Sequence, residues 1–242
     1  MEGLSFFFGV MANVLSVLVF LSPIDTFRRI TRQRSTEEFE SLPYVCTLLS
    51  AALWTYYGII RPGTYLVATV NGFGTLVEIV YVTLFLIYAP PKMKAKTVVF
   101  VGIVDVGFLA IAVLVSQLAL QGDLRIDSIG TICAAVSIIM YSSPLAAMKT
   151  VITTKSVEYM PFSLSFFIFS STGIWALYGL LVQDYYVLVP NGTGFVLGTA
   201  QLVLYAIYRN CKPSTTSVDS DRLEEGWQHE PLLSPSDDKL EG

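Results

Sequence analysis

The sequence is short of most things that mark a soluble catalyst or a nucleic-acid binder. Only 14% of its 242 residues are charged, against about 25% in an ordinary soluble domain. It has a single histidine, His229, and three cysteines, Cys46, Cys133 and Cys211. One histidine cannot found a metal cluster, and no nucleophile, base and orienting group stand together. No metal and no cofactor are therefore expected. Three cysteines make no disulfide framework, and Cys46 and Cys133, each in an apolar run, read as packing. Fifteen basic against nineteen acidic residues give none of the net basic balance of a nucleic-acid binder. The glycines near Asn71 and Asn191 lack the strand–loop–helix setting of a phosphate cradle. Asn191-Gly192-Thr193 spells a glycosylation acceptor, yet it lies inside an apolar run where no transferase reaches it.

What the chain has is long stretches without charge: residues 3–24, 41–60, 62–77, 79–91, 106–122, 128–148, 159–183 and 185–208. About 18 or more such residues read as a membrane helix. Seven spans are predicted, at 5–24, 42–60, 65–88, 97–119, 128–148, 161–182 and 186–208, the third carrying Glu78 and the fourth Asp105. Met1-Glu2-Gly3 supplies no basic segment ahead of the first run, so that run reads as a helix rather than a leader. The net charge of −4 is misleading. Residues 211–242 hold three basic and eight acidic groups, leaving +1 for the rest. A segment so rich in Ser, Pro, Asp and Glu cannot offset its ordering entropy and is expected to be a disordered acidic tail.

The loops are short enough for the positive-inside rule. Arg28, Arg29, Arg32 and Arg34, then Lys92, Lys94 and Lys96, then Lys149 and Lys155, then Arg209 and Lys212 fall on one side; Arg61 and Arg125 fall on the other. The N-terminus is thus expected outside or in a lumen, and the C-terminus in the cytosol.

The chain also repeats itself. Val17-Leu18-Val19-Phe20-Leu21-Ser22-Pro23 matches Ile138-Ile139-Met140-Tyr141-Ser142-Ser143-Pro144 at an offset of 121. Ser35-Thr36-Glu37 matches Ser156-Val157-Glu158, and Trp54-Thr55-Tyr56-Tyr57-Gly58 matches Trp175-Ala176-Leu177-Tyr178-Gly179, at the same offset. Asn71-Gly72-Phe73-Gly74 matches Asn191-Gly192-Thr193-Gly194 at 120, and Pro43 matches Pro161 at 118. A three-helix unit ends on the face opposite its start, so a second unit of the same orientation needs one extra crossing. The fold expected is all-α: seven transmembrane helices as two parallel three-helix repeats joined by a linker helix, 3+1+3. The first repeat takes residues 1–91, the linker 92–127, the second repeat 128–210 and the tail 211–242. Transporters of this build bind substrate at the repeat interface near the midplane.

Taken with Thr26-Phe27, Tyr44, Leu145, Met160, Phe162, Pro190 and Leu197-Gly198, these motifs resemble the SWEET sugar transporters over residues 5–210. The resemblance implies a bidirectional, energy-independent uniporter that works by alternating access and assembles as a homo-oligomer within membrane lipid. The branch most resembled lies in the vacuolar membrane and carries fructose and glucose, which implies a monosaccharide substrate. The plasma membrane is the alternative location.

Candidate site residues come in repeat-related pairs. Asn71 and Asn191 each offer two donors and an acceptor, and across a pseudo-twofold axis they can bracket a polyol; the alternative is a pair of packing amides. Trp54 and Trp175 can stack on a sugar's C–H face while the indole N–H reaches a hydroxyl. Trp54 lies roughly 18 Å into a core about 30 Å thick, too deep for the inner aromatic belt though not for the outer one. Some family members carry a small residue at the Trp54 position, which implies a tighter pocket here. Ser50 and Ser171 lie one turn before each indole, on the same face, as pocket hydroxyls or as small packing residues. Val19 and Met140 stand four residues before a proline. By the resemblance, a bulky residue at the second position goes with monosaccharides; plain core packing is the alternative. Pro23, Pro43, Pro144 and Pro161 fall at helix ends on the basic side, where proline bends a helix, and the resemblance makes them hinges. It also makes Tyr57 and Asp184 an outer gate closed by a hydrogen bond, against the simpler reading of solvated loop residues. Glu78 and Asp105 raise the possibility of a proton relay. Neither has a repeat mate, Gly198 standing opposite Glu78, so interhelical hydrogen bonding is expected of them. Two other classes fit the topology: a seven-helix receptor, which gives no reason for a duplication, and a proton-coupled transporter of amino acids or other small solutes.

Overall fold

A computed structural model describes residues 2–37, 39–157, 160 and 162–209. Glu158, Pro161 and the 211–242 tail lie outside the described residues. Among the described residues all regular structure is helical: α1 Glu2–Leu21, α2 Ile24–Gln33, α3 Leu42–Ile60, α4 Tyr65–Tyr88, α5 Pro91–Phe100, a π-helical stretch Val101–Phe108, α6 Leu109–Ala119, α7 Gly122–Met140, α8 Ser142–Thr154, α9 Phe162–Leu181 and α10 Tyr185–Tyr208. Chains in lipid must satisfy their backbone groups internally, and these apolar runs do so as helices. Seven stretches are long and apolar enough to cross a membrane: Glu2–Gln33, Leu42–Ile60, Tyr65–Tyr88, Pro91–Ala119, Gly122–Thr154, Phe162–Leu181 and Tyr185–Tyr208.

Three stretches outrun their expected bounds. The first continues as α2 to Gln33, because charged residues on its outer face do not interrupt helical hydrogen bonding. The fourth starts at Pro91, a residue pre-set for a first helical turn. The fifth begins at Gly122: Arg125 turns back to cap α6, its Nε donating to the carbonyls of Ser116 (3.0 Å) and Leu120 (3.1 Å).

The duplication reaches the backbone. The helix caps Arg34 and Lys155 are repeat mates, and both adopt a left-handed conformation (φ 52° and 56°). Gly58 and Gly179 are mates too. A Cβ on Gly58 would meet the Ala68 backbone nitrogen at 2.5 Å, and one on Gly179 the Leu188 nitrogen at 2.8 Å. The hairpins α3–α4 and α9–α10 therefore close tightly at the same point.

The helices pack as a ring: α1 on α4, α4 on α3, α3 on α7, α7 on α10, α10 on α9, and α9 back on α1. Each repeat places its third span between its first and second, and the two repeats meet along α3–α7 and α1–α9. The linker span lies outside the ring against α3, touching α4 through α5 and α7 through α6. This is the 3+1+3 architecture. The principal core cluster joins Leu53, Trp54, Tyr57, Val67, Ile129, Trp175, Tyr178 and Val187 from both repeats, so the repeat interface is also the hydrophobic centre.

One expectation fails here. Glu78 and Asp105 are buried, at 3% and 8% exposure, yet Glu78 Oε2 and both Asp105 oxygens find no hydrogen-bond partner among the described residues. Around the turn that carries Asp105, Val101 and Val104 pack with Val45, Leu48 and Val82. Interhelical hydrogen bonding of these oxygens is not formed.

Candidate functional site

A cavity of about 170 Å³ opens at the centre of the ring, where the repeats meet. Its lining is a series of repeat mates: Trp54 with Trp175, Asn71 with Asn191, Ser16 with Ser137, Phe20 with Tyr141, and Val67 with Val187. Val19, Ser171 and Pro190 complete it. Ser50 and Met140, both half-buried, are not part of the lining.

Each indole is held from two directions. Trp54 Nε1 donates to Ser137 Oγ at 3.1 Å, and Trp175 Nε1 donates to Ser16 Oγ at 2.9 Å. Both bonds run from one repeat to the other. Each ring also meets a tyrosine, Trp54 on Tyr57 and Trp175 on Tyr178, with the same centroid distance of 5.4 Å and the same interplanar angle of 87°. Edge-to-face packing with a satisfied N–H fixes an aromatic ring in one orientation.

The two amides are committed only in part. Asn71 Nδ2 donates to the Val67 carbonyl at 2.9 Å, and Asn191 Nδ2 to the Val187 carbonyl at 2.8 Å. Each bond reaches back one helical turn and uses one N–H. The second N–H and the amide oxygen have no partner among the described residues, and both side chains line the cavity. The cavity wall thus carries two amides with spare donors and acceptors between two indoles.

Beside the indole of Trp54 a polar cluster joins the two repeats. Tyr57 and Asp184 are fully buried, and the Tyr57 hydroxyl lies 2.9 Å from both Asp184 oxygens. Arg61 Nε sits 3.0 Å from Asp184 Oδ2, and its Nη2 donates to the Gln183 carbonyl at 3.3 Å. Asp184 Oδ1 also accepts the backbone N–H groups of Tyr186 (3.0 Å) and Val187 (3.2 Å), capping α10. A carboxylate saturated by donors and a guanidinium tolerates burial. Neither residue is a solvated loop group, and together they bind the first repeat to the second.

The prolines sit at helix breaks. Pro23 separates α1 from α2, Pro43 lies in the first turn of α3, and Pro144 in the first turn of α8 just past the break at Tyr141.

Sequence reasoning missed Ser16, Ser137, Phe20, Tyr141, Val67, Val187, Pro190 and Arg61. The offset of 120–121 relates the first three pairs to one another, but that both members of each face the cavity is shown only by the tertiary structure. Pro190 and Arg61 have no such mate, so only their positions reveal them.

The family model described as "Sugar efflux transporter for intercellular exchange" matches residues 6–93 and 127–213. The chain is 57% identical to the bidirectional sugar transporter SWEET17 of Arabidopsis thaliana, covering 95% of this chain and 98% of that one. It is 58% identical to the bidirectional sugar transporter SWEET16 of Oryza sativa subsp. japonica over 86% of its own length, and it spans 63% of that longer relative. A solved eukaryotic SWEET transporter superposes with a TM-score of 0.81 at 39% identity, covering 86% of this chain and 98% of that one. A multi-pass integral membrane protein with two parallel three-helix repeats around a central cavity is thereby defined. The chain belongs to the SWEET family.

Proposed function

We propose that this chain is a bidirectional sugar transporter that carries a hexose, fructose or glucose, unchanged across a membrane by alternating access and without an energy source. The observation that supports this most is the cavity wall, where spare amide donors and acceptors of Asn71 and Asn191 lie between the indoles of Trp54 and Trp175. A sugar ring needs that combination of apolar faces and hydrogen-bonding edges. The volume of about 170 Å³ is below the 300–1,000 Å³ common for small-molecule pockets, which suits one ring rather than two. The Tyr57–Asp184–Arg61 cluster acts as the outer gate and the prolines Pro23, Pro43, Pro144 and Pro161 as hinges, with Val19 and, from outside the lining, Met140 bearing on selectivity and Ser171 as a pocket hydroxyl. No step of chemistry is assigned to the protein.

In this reading residues 1–91 and 128–210 rock against each other about the linker 92–127, and the 211–242 tail faces the cytosol. The positive charge on one face of the spans supports that orientation. The proposed location is the vacuolar membrane, with the plasma membrane as the alternative. Homo-oligomers in membrane lipid are expected from family membership. A proton-coupled cycle is the second reading, favoured by the unpartnered carboxylates of Glu78 and Asp105. Uptake of labelled hexose into vesicles separates the two. Equilibration to equal concentrations, unaffected by a protonophore, is the expected result. Accumulation that collapses with the pH gradient would replace it with the coupled reading, and no hexose flux at all would end the sugar reading.

A further inference from the structure

A groove of about 510 Å³ runs between α2 and α4 on the outer surface of the first repeat, away from the central cavity. Leu21, Ile24, Val77, Val80 and Leu84 line it, and Val80 is 54% exposed. Its floor is firm: Phe27 stacks on Tyr81 at 4.3 Å between centroids, 10° from parallel. Arg28 and Arg32 stand at its rim, one helical turn apart and so on one face of α2. The apolar run of α1 ends just before α2, which places this rim where the hydrocarbon gives way to headgroups.

The neighbouring charges leave this pair available. Arg29 is taken by Glu37 at 2.7 Å and lies over the Phe39 ring. Arg28 meets Asp25 at 3.2 Å, with both side chains more than two-thirds exposed, a weak surface contact. Arg32 has no ion pair among the described residues. The second repeat lacks the feature: Lys149 stands in place of Arg28 and Thr153 in place of Arg32. We propose that the α2–α4 groove is a binding site for an anionic phospholipid, its phosphate held by Arg28 and Arg32 and an acyl chain laid along Val77, Val80 and Leu84. Guanidinium groups hold phosphate in a bidentate fork and are weakly hydrated, and a basic residue at the surface of an anionic leaflet adds to binding. An apolar trough beneath two such groups matches a lipid's own division into head and chain. This site is independent of the sugar reading and would stand if that reading failed.

The test is lipid retention on the purified full chain, measured by native mass spectrometry during titration with phosphatidylinositol or phosphatidylglycerol against phosphatidylcholine. Wild-type protein is expected to favour the anionic lipids by about fivefold or more, a factor set by the worth of one basic group at the surface. The double variant R28Q/R32Q should lose that preference while K149Q keeps it. Val80→Trp, which fills the trough and leaves the charges, should also lower retention. Equal retention of anionic and neutral lipids by wild type, or an unchanged preference in R28Q/R32Q, overturns the site. Displacement of the lipid by soluble glycerophosphoinositol as readily as by whole lipid would show a headgroup site only and overturn the acyl assignment.

Discussion

Around the cavity the two repeats are nearly superimposable in chemistry; at the Tyr57–Asp184 contact they are not. Trp54 and Trp175 make the same bond to the opposite repeat's serine and the same edge contact with their own tyrosine. One turn further out, Tyr57 bonds a buried aspartate. Its mate Tyr178 makes no bond to a carboxylate among the described residues, because Thr64 stands where Asp184 stands in the second repeat and turns back to the Arg61 carbonyl at 2.9 Å. The difference shows what each region needs. A sugar held on a pseudo-twofold axis is best met by matched walls, since both repeats must approach it as the molecule rocks. Closing a mouth needs only one strong bond across the interface, and a second buried carboxylate would add desolvation cost without closing anything further.

The largest effect is expected from breaking the matched walls. Asn71→Ala and Asn191→Ala should each abolish hexose transport, and to similar degrees. The amides lie where water is scarce, and in the proposed site a sugar hydroxyl would supply the partners they lack. Loss of one such hydrogen bond weakens binding by about 0.5–1.5 kcal/mol, up to roughly tenfold, so abolished transport also requires that the amide steer closure. Calorimetric sugar binding beside vesicle uptake checks this. Normal binding and transport in either variant would remove that amide from the site.

Next comes the unmatched mouth. Asp184→Ala leaves Arg61 without its ion and α10 without its cap, and should cost about 3–5 kcal/mol of stability. Thr64→Ala, at the equivalent place, should cost about 1 kcal/mol. Thermal unfolding in one detergent compares them. Tyr57→Phe and Tyr178→Phe sharpen the contrast, because only the first loses a bond between repeats; a matched loss of transport in both would erase the asymmetry.

The same contrast explains what could be read from sequence. The charge-free runs and one repeated offset were enough for the all-helical 3+1+3 frame, because lipid leaves a chain few alternatives. Asn71, Asn191, Trp54 and Trp175 stood out as polar or amphipathic groups inside apolar runs. Ser16 and Ser137 did not, because a serine in a membrane helix usually reads as a small packing residue, and only the tertiary contact with an indole on the other repeat marks it. Ser50 sits at the right helical spacing from Trp54 but outside the lining, since spacing along one helix says nothing of how that helix is rotated against its neighbours. Arg61 reads in the sequence as a topology charge, since its pairing with Asp184 is a contact across 123 positions.

Those serines carry a smaller prediction. Ser16→Ala and Ser137→Ala each remove the acceptor of one indole N–H and free that ring to turn. Both should weaken hexose binding by up to about tenfold, and by amounts that agree within twofold if the matched geometry governs. Ser→Thr at either position keeps the acceptor and should restore most of the affinity. Failure of rescue by threonine would point to lost space rather than lost orientation of the ring.

The smallest effect is expected where the cavity's own symmetry is imperfect. Phe20 and Tyr141 are repeat mates, and each packs its ring on a glycine mate, Gly74 or Gly194, where any side chain would collide with it. Tyr141 differs by its hydroxyl, which donates to the Pro190 carbonyl at 3.0 Å and ties the break between α7 and α8 to α10. Tyr141→Phe keeps the ring in its seat and gives the second repeat the chemistry of the first. It removes one neutral hydrogen bond, about 0.5–1.5 kcal/mol, from an interaction made within a single repeat. Sugar affinity should therefore change little, while the rate of opening at the proline side should rise, because α8 is less firmly held. Equilibrium binding and zero-trans flux, measured on the same preparation, separate the two quantities. A fall in affinity with an unchanged rate would place the Tyr141 hydroxyl on the sugar instead, and the two walls would then be unequal at the substrate as well as at the mouth.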